Sequence, residues 1–327
     1  MKAPLVTSQL SIGYKTGKQT RLVASDLNLT LRRGQLICLL GQNGVGKSTL
    51  MRTLAGMQPA LAGEVRLDDV PVHAIPAREL AQQLAIVTTD RVEVGMMTGR
   101  MLIELGRHPH TDWTGQLTPD DERVVNQILS QVHAEDLAER RLSEMSDGER
   151  QRVLIGRALA QQGNVLLLDE PTAYLDLPRR YEIVQLLRRL ARDTGQAILM
   201  STHDLDLALK AADRLWVMDA NGHIEDGVPE DLVLSGHLQR AFDSDGVTFD
   251  MMTGSYTLQT PVIGQVQLIG QGIHAEWTRR ALRRSGYAVG NSGLLITIED
   301  DGWWVGDVCY KTIGEILGLL RDNIVGA

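Results

Sequence analysis

The sequence is poor in aromatic residues and in cysteine. Phe, Trp and Tyr make up 4% of the 327 residues and hydrophobic residues 43%, so Leu, Ile, Val and Ala are left to supply the core. The two cysteines, Cys38 and Cys309, share no motif spacing. Cys38 lies inside an apolar, strand-like run, which indicates a reduced core residue of a cytosolic protein.

Basic residues and long apolar runs are also scarce. The 33 Lys and Arg are outnumbered by 41 Asp and Glu, and the resulting net charge of −8 argues against a protein that coats nucleic acid. We therefore expect no nucleic-acid partner. No apolar run approaches the roughly 20 residues of a membrane span, and no signal peptide is evident. Any function at a membrane is therefore expected to depend on a partner protein.

Four strand-like runs are rich in apolar residues along their whole length rather than at every second position. They are residues 35–40, 165–168, 197–200 and 215–218, and helical stretches such as 179–194 separate the later ones. Continuous apolar strands joined by helices are typical of a mostly parallel sheet that is covered on both faces. The sequence therefore predicts an α/β fold.

The regions around these strands differ in their residue patterns and in the secondary structure that those patterns predict. Residues 1–34 contain short alternating strands and turns, and residues 98–162 are largely helical in pattern. After about residue 242, short strands and two helical segments follow, with a strand pair at 294–299 and 303–309. Asp300-Asp301-Gly302 between them is a hairpin-turn signal. A chain of this length exceeds the about 250–300 residues at which single cores stop growing, so we expect a separate small α+β domain over 241–327.

A glycine-rich segment follows the first apolar strand and precedes a helix. Gly41 to Ser48 match the pattern GxxxxGK[ST], in which backbone N–H groups and a helix N-terminus surround phosphates. Lys47 is expected to reach the β- and γ-phosphates, and the Ser48 hydroxyl to bind Mg²⁺. The predicted ATP-binding residues of this segment are Gly41, Gln42, Asn43, Gly44, Val45, Gly46, Lys47, Ser48 and Thr49.

Polar residues follow two of the later apolar strands. Asp169 and Glu170 end the strand at 165–168, and the next strand ends in Ser-Thr-His-Asp, with His203 as the third of these residues. Ligands bind at the carboxyl ends of strands in such sheets, so we expect these side chains beside the phosphate loop. Asp169 is predicted to hold Mg²⁺, Glu170 to act as general base, and His203 to contact the γ-phosphate. The alternatives are an acidic strand end or helix cap and a structural histidine.

The segment Met145-Ser146-Asp147-Gly148-Glu149 combines a Ser with a Glu three residues later. That spacing is the capping-box signature of a helix start.

Taken in order, these motifs resemble those of the ATP-binding subunits of ATP-binding-cassette (ABC) transporters. The resemblance spans roughly residues 1–240 and rests on the phosphate loop at Gly41, the signature-like MSDGE, VLLLDEP at 165–171, Tyr174-Leu175-Asp176 and His203. Tyr14 matches the position of the aromatic residue that stacks on adenine in this family.

The resemblance implies a P-loop NTPase of the ABC type, with a mostly parallel sheet core, an N-terminal antiparallel β subdomain and a helical subdomain at about 90–163. It implies an ATP- and Mg²⁺-dependent ATPase whose two copies sandwich ATP. The phosphate loop of one chain would face Ser146, Asp147, Gly148 and Glu149 of the other, and Asp176 would lie at the dimer contact. A membrane permease and, indirectly, a substrate-binding protein would be the partners, at the cytoplasmic face of the cell membrane.

Leu105-Gly106-Arg107-His108-Pro109-His110 narrows the resemblance to importers of iron–siderophore complexes, haem and cobalamin, whose ATPases carry a similar GRxPH segment. A metal site built on His108 and His110 is the alternative.

Two segments depart from the family pattern. Asp147 and Glu149 replace a Gly and a Gln of the usual signature, and Thr89 stands where the family has a Gln that contacts Mg²⁺ or water. Thr89 or Asp90 would have to substitute as the Mg²⁺ ligand, with Asp90 adding negative charge beside the phosphates. The Thr89 departure keeps open the alternative of a regulatory cassette with impaired hydrolysis. A non-transport ATPase of the same superfamily, of the iron–sulfur assembly type, is the other alternative to an importer ATPase.

Overall fold

The structure is a computed structural model, and it describes residues 3–17, 19–88, 95–242, 246–258 and 260–325. The chain forms two compact units: Met1–Phe242 with Met251–Ser255, and Asp243–Asp250 with Tyr256–Ala327.

The larger unit combines two sheets with helices. Its strands are β1 (Leu5–Thr16), β2 (Gln19–Leu27), β3 (Thr30–Leu31), β4 (Leu36–Leu40), β5 (Ala62–Leu67), β6 (Val70–Pro71), β7 (Leu84–Val87), β8 (Val165–Leu168), β9 (Ala197–Thr202), β10 (Arg214–Met218) and β11 (Ile224–Gly227). Its α-helices are α1 (Lys47–Leu54), α2 (Ala77–Gln83), α3 (Gly99–Leu105), α4 (Pro119–Gln131), α5 (Asp147–Leu159), α6 (Leu177–Thr194), α7 (Leu205–Ala211), α8 (Pro229–Leu234) and α9 (His237–Phe242).

The central sheet has the strand order β11-β10-β4-β9-β8-β7. All neighbouring pairs are parallel except β10 with β11, which confirms the mostly parallel sheet. Every residue of β4, β8 and β9 is buried, as expected for strands covered on both faces. Because β4, β9 and β8 are parallel neighbours, the segments that follow them meet at one edge of the sheet.

The N-terminal strands form a second, antiparallel sheet. Its order is β2-β1-β5-β6, and β3 pairs with β1. The fully buried side chains of Leu10 and Ile12 on β1 pack in the same hydrophobic cluster as Ile37 and Leu39 on β4. Apolar burial therefore fixes this sheet against the one that precedes the phosphate loop.

The segment after α3 is a structural junction. The backbone of Gly106 approaches the carbonyl oxygen of Arg157 so closely that a Cβ would lie 2.1 Å from it. Arg107 is 6% exposed and donates to Asp121 at 2.8 Å and to the carbonyl oxygen of Ala160 at 2.6 Å. The GRxPH-like segment thus ties the start of α4 to the end of α5.

The smaller unit contains a five-stranded sheet and two helices. In chain order its elements are β12 (Val247–Asp250), β13 (Ser255–Leu258), β14 (Gly264–Ile269), α10 (Gly272–Arg284), β15 (Tyr287–Val289), β16 (Leu294–Glu299), β17 (Gly302–Val305), β18 (Val308–Tyr310) and α11 (Ile313–Val325). The larger sheet has the order β15-β14-β16-β17-β18, and β12 pairs with β13.

The C-terminal strand predictions are confirmed in part. β16 and β17 form the antiparallel pair that Asp300-Asp301-Gly302 predicts, with Glu299 opposite Gly302. The prediction of one strand over 303–309 is wrong, because Gly306 has a φ of +58° and the chain reverses there into β18. A left-handed glycine followed by Asp307 is itself a turn signal.

The described residues include no helix that is both long and apolar enough to cross a membrane.

Candidate nucleotide-binding site

The phosphate loop connects β4 to α1, as its sequence pattern predicts. Gly44 and Gly46 have φ values of +78° and +124°, a backbone conformation that favours glycine. A Cβ on Gly46 would also lie 2.2 Å from the Val23 side chain, so two constraints require glycine there. The loop exposes Gln42, Asn43, Gly44 and Ser48 and buries Gly41, Lys47 and Thr49, with Val45 and Gly46 between these extremes.

Lys47 is the buried cation of the loop. Its Nζ donates to the carbonyl oxygens of Gly41 at 2.8 Å and of Gln42 at 3.2 Å. Burial lowers the pKa of Lys47, and the charges of Glu170 and Asp169 oppose that shift. An ammonium group that is 5% exposed and faces mainly carbonyl oxygens favours an anionic ligand that can approach it.

Asp169 and Glu170 lie at the carboxyl edge of the sheet, immediately after β8. The backbone N–H of Asp169 donates to the carbonyl oxygen of Val87 at 2.8 Å, which extends the β7–β8 pairing by one residue. The Ser201 hydroxyl donates to Asp169 Oδ1 at 2.6 Å and accepts from the backbone N–H of Glu170 at 2.8 Å. The end of β9 therefore fixes both acidic residues.

The Glu170 carboxylate lies between two groups that were predicted from separate motifs. Its Oε1 is 3.7 Å from Lys47 Nζ, and its Oε2 is 3.5 Å from His203 Nδ1. His203 follows β9 directly, and its side chain is 51% exposed, so it is accessible to a ligand. The structure thus brings together Lys47, Glu170 and His203, residues that are distant in the sequence.

Tyr14 lies beside α1 and presents its ring to solvent. Its hydroxyl is 2.5 Å from Thr49 Oγ1, and the residue is 44% exposed. A partly exposed ring anchored through its hydroxyl suits stacking against a flat base. Thr49 is itself buried, so the Tyr14 hydroxyl contacts a residue that is fixed by the surrounding packing.

The helix start at Ser146 is a capping box, as predicted. Ser146 Oγ accepts from the backbone N–H of Glu149, and the Glu149 carboxylate accepts from the backbone N–H and hydroxyl of Ser146 at 2.8 and 2.9 Å. Arg140 donates to the other oxygen of Glu149 at 2.8 Å. The hydrogen bond from the Ser146 backbone is the main cause that lowers the pKa of Glu149. Asp147 is exposed and Gly148 partly exposed, so this helix end is open to an approaching group.

Asp176 caps α6 from its N-terminal side. Its Oδ1 accepts from the backbone N–H of Arg179 at 3.0 Å, and its side chain is exposed. The preceding Tyr174 has a φ of +65°, so the chain turns sharply into the helix. The predicted role of Asp176 at a dimer contact stays a prediction.

The donor chemistry at the carboxyl edge fits Mg²⁺. Asp169 offers a carboxylate and Ser48 an exposed hydroxyl, and hard oxygen ligands are those Mg²⁺ prefers. Nowhere among the described residues do three His, Cys, Asp or Glu side chains gather to hold a metal by themselves. Phosphate oxygens and water would therefore have to complete the coordination. Thr89 and Asp90 lie outside the described residues.

The alternative metal site at His108 and His110 has no support. His110 Nε2 lies 2.8 Å from the carbonyl oxygen of Gln161, which makes it a structural histidine, and His108 is exposed. No third ligating side chain joins them within the described part of the chain.

Comparison with known proteins agrees with this geometry. Residues 24–173 match the family described as ABC transporter, and residues 263–321 match the iron ABC transporter C-terminal domain. An uncharacterized ABC transporter ATP-binding protein of Methanocaldococcus jannaschii is 38% identical over 255 residues, which cover 78% of this chain and 87% of that protein. This chain belongs to the ABC transporter family of ATP-binding proteins. It is therefore an ATPase that binds ATP.

Other relatives of this ABC ATPase carry transport names. The iron(3+)-hydroxamate import ATP-binding protein of Bacillus subtilis is 35% identical, with 74% of this chain and 88% of that protein covered. The cobalamin import ATP-binding protein of Halobacterium salinarum is 36% identical, and the match covers 82% of this chain and 69% of that protein.

Solved structures share the fold. Clostridium perfringens cbiO1, part of the ABC transporter complex cbiONQ, is 27% identical, with a TM-score of 0.64 over 73% of this chain and 94% of that one. A bacterial ABC transporter cassette solved as a dimer is 23% identical, with a TM-score of 0.60, and the match covers 69% of this chain and 98% of that one. This likeness supports the fold.

Sequence reasoning did not single out Ser201 in this ABC ATPase, although a signal was present. Leu168 of β8 pairs with Met200 of β9 in parallel register, so Asp169 and Ser201 each follow a paired residue. A register argument on the two apolar strands could have placed the hydroxyl beside the carboxylate.

Proposed function

We propose that this protein is the ATP-hydrolysing subunit of an importer that takes up a metal chelate of the iron–siderophore, haem or cobalamin type. The Glu170 carboxylate between Lys47 Nζ and His203 Nδ1 carries the hydrolytic part of the proposal. The import names of the relatives and the iron-transporter match of residues 263–321 support the cargo class.

In this proposal the phosphate loop holds ATP. The N–H groups around Gly44 and Gly46 and the start of α1 surround the phosphates, and Lys47 moves from carbonyl oxygens to phosphate oxygens. Tyr14 stacks on adenine. Asp169 and Ser48 would hold Mg²⁺, which when bound would neutralise charge on the phosphates.

Glu170 acts on the attacking water. Its carboxylate accepts a hydrogen bond from water, orients one lone pair toward the γ-phosphorus, and receives the proton as the new P–O bond forms. The bond from the γ-phosphorus to the bridging oxygen breaks, and ADP leaves with that oxygen. His203 donates to a γ-phosphate oxygen, where its half-exposed ring can be reached.

A second copy of the chain completes the site. The α5 start, with Ser146 and the N–H groups of Asp147, Gly148 and Glu149, faces the γ-phosphate held by the other copy, and Asp176 lies at the contact. The ATPase pair lies at the cytoplasmic face of the membrane, where a separate membrane-spanning permease converts closing and opening of the pair into transport, with a substrate-binding protein delivering the cargo.

Reconstitution with the permease that co-purifies with the full chain tests the proposal. Proteoliposomes should accumulate a ferric siderophore, haem or cobalamin only when ATP and Mg²⁺ are present on the ATPase side. Glu170→Gln should stop accumulation, whereas Glu79→Gln, an exposed acid on α2, should leave it unchanged. Absence of any polytopic partner would favour an assembly ATPase, and a bound permease without ATP turnover would favour a regulatory cassette.

A further inference from the structure

Ser201 makes two hydrogen bonds to the two acidic residues of the site. It is fully buried near the end of β9, between the strand of the phosphate loop and the strand of the acids. Its Oγ lies 2.6 Å from Asp169 Oδ1 and 2.8 Å from the backbone nitrogen of Glu170. A single hydroxyl therefore connects the proposed metal ligand to the proposed base.

The direction of these bonds is determined by the chemistry of the partners. The Glu170 N–H can only donate, so Ser201 Oγ must accept from it. The one hydroxyl proton of Ser201 is then directed to the Asp169 carboxylate, which accepts it. That bond is charge-assisted, and such bonds are roughly twice as strong as neutral ones.

The two hydrogen bonds of Ser201 restrain the Asp169 carboxylate and the Glu170 backbone, each of which could adopt another conformation. Among the described residues, the bond from Ser201 to Oδ1 is the one hydrogen bond that the Asp169 carboxylate accepts, so it restrains the orientation of this carboxylate. Glu170 has a φ of +46°, a left-handed conformation that is unfavourable for a non-glycine residue and persists where the surroundings hold it. The bond from its N–H to Ser201 is one of those restraints.

We propose that Ser201 is a positioning residue that sets the Asp169 carboxylate for the metal and the Glu170 backbone for the base. This proposal rests on the proposed function. Ser201 contacts neither nucleotide nor water in the reaction, and it acts through the two acids. Its loss should therefore lower the affinity for Mg²⁺ and the rate of ATP turnover while leaving metal-free nucleotide binding in place.

Ser201→Ala, compared with Thr202→Val, is the decisive experiment. Thr202 is the next residue of β9 and is also buried, and within the described part of the chain its hydroxyl makes one hydrogen bond, accepting from the Asp204 N–H at 3.1 Å. Each variant thus removes one buried hydroxyl from the same strand, but only Ser201→Ala removes a contact to the acids. The full chain is titrated with a fluorescent ATP analogue at several free Mg²⁺ concentrations, and steady-state ATP turnover is measured in parallel.

For Ser201→Ala, the Mg²⁺ concentration at half-maximal nucleotide binding should rise roughly 10-fold, as for loss of a group that orients a metal ligand. The kcat for ATP should fall roughly 10- to 100-fold, the equivalent of one charge-assisted hydrogen bond, with KM changed less than about threefold. Nucleotide binding without Mg²⁺ should stay within about twofold of wild type, which also shows that the variant is folded. Thr202→Val should match wild type in all three measurements.

Three results would overturn the proposal: unchanged Mg²⁺ dependence and kcat in Ser201→Ala, the same losses in Thr202→Val, or loss of metal-free binding. The double variant Asp169→Asn/Ser201→Ala adds a check, because Ser201→Ala should not change Mg²⁺ dependence further once the carboxylate is gone. Failure of the hydrolytic part of the proposed function looks different, because wild type itself would then show neither Mg²⁺-dependent binding nor ATP turnover. Failure of the import part would appear only in the proteoliposome assay and would leave these measurements unchanged.

Discussion

Nζ of Lys47 lies 3.7 Å from Oε1 of Glu170, so the buried cation of the phosphate loop and the proposed base form an ion pair of opposite charges. The distance is longer than a hydrogen bond, and the lysine instead donates to two carbonyl oxygens of its own loop. In the proposed function, an incoming γ-phosphate would compete with Glu170 for this ammonium group. Release of the carboxylate would free it to accept a hydrogen bond from water.

Glu170→Gln should separate binding from hydrolysis. The amide cannot take a proton, so ATP turnover should fall more than about 100-fold. ATP affinity should be equal to or higher than in wild type, because one competitor for Lys47 has lost its charge. Steady-state turnover and nucleotide titration measure the two effects. Glu79→Gln is the matched control, and a Glu170→Gln variant with wild-type turnover would remove Glu170 from the role of base.

Tyr14 offers a test of adenine stacking in which ring and hydroxyl are separated. Tyr14→Ala should weaken ATP binding roughly 10-fold, since base–aromatic stacking contributes about 1–3 kcal/mol per base. Tyr14→Phe keeps the ring and loses only the contact to Thr49, so affinity should change less than about threefold. Equal losses in the two variants would mean that the hydroxyl contact, and not the ring, matters.

Glu149 competes with any anion for the donors at the start of α5. Glu149→Ala should lower the free energy of unfolding by about 1 kcal/mol, through loss of the capping box and the Arg140 contact. In a Glu170→Gln background, ATP-dependent dimers should nevertheless form at lower protein concentration, because Ser146 is released to bind the γ-phosphate. Sedimentation with and without ATP measures this. Weaker dimers would show that Glu149 organises the anion site instead of blocking it.

The buried pair of Arg107 and Asp121 should be a main support of the helical region. Arg107→Ala leaves a buried carboxylate without its cation and should cost about 3–5 kcal/mol of unfolding free energy in denaturant titration. Arg123→Ala removes one member of the exposed Arg123–Asp120 pair and should cost less than about 1 kcal/mol. Similar costs for the two variants would contradict the structural role of the GRxPH-like segment.

The same pair predicts a pH dependence of stability. Burial alone would raise the pKa of Asp121, but hydrogen bonds from Thr118 and Arg107 lower it from 3.8 to about 2. A carboxylate with a depressed pKa in the folded state stabilises fully above 3.8, and this stabilisation is lost as the pH falls through about 2. The difference in unfolding free energy between wild type and Asp121→Asn should therefore shrink over that interval and stay constant above about pH 5. A constant difference down to pH 2 would contradict the assignment.

The sequence predicted the core strands well because short continuous apolar runs are typical of strands that are buried on both faces of a sheet. β4, β8, β9 and β10 all lie where those runs are. β5 carries mixed exposed and buried residues with Gly and Glu among them, so its composition carried no strand signal, and pairing with β1 decides its structure. Tertiary pairing outweighs local propensity in such segments.

Site residues were predictable where a motif specifies backbone geometry, and less so where contacts cross between strands. The loop from Gly41 to Ser48 needs glycines at positive φ, and its pattern encodes that need. The contact of Ser201 with Asp169 depends on which strands are neighbours and in which register, and a pattern within one strand does not contain this information. Arg107 entered only through family resemblance, since its partner Asp121 is separated from it by a turn and a helix start.

The hydrogen bond from Asp169 N–H to the Val87 carbonyl has a mechanical consequence. β7 ends the observed order of the central sheet, and its pairing partner there is β8, so a pull on the chain after Val87 loads the strand of the two acids first. The strand that precedes the phosphate loop, β4, lies beyond β9. The same force reaches β4 only through the β8–β9 and β9–β4 pairings. A displacement transmitted from the helical subdomain would therefore move Asp169 and Glu170 before it moves the phosphate loop.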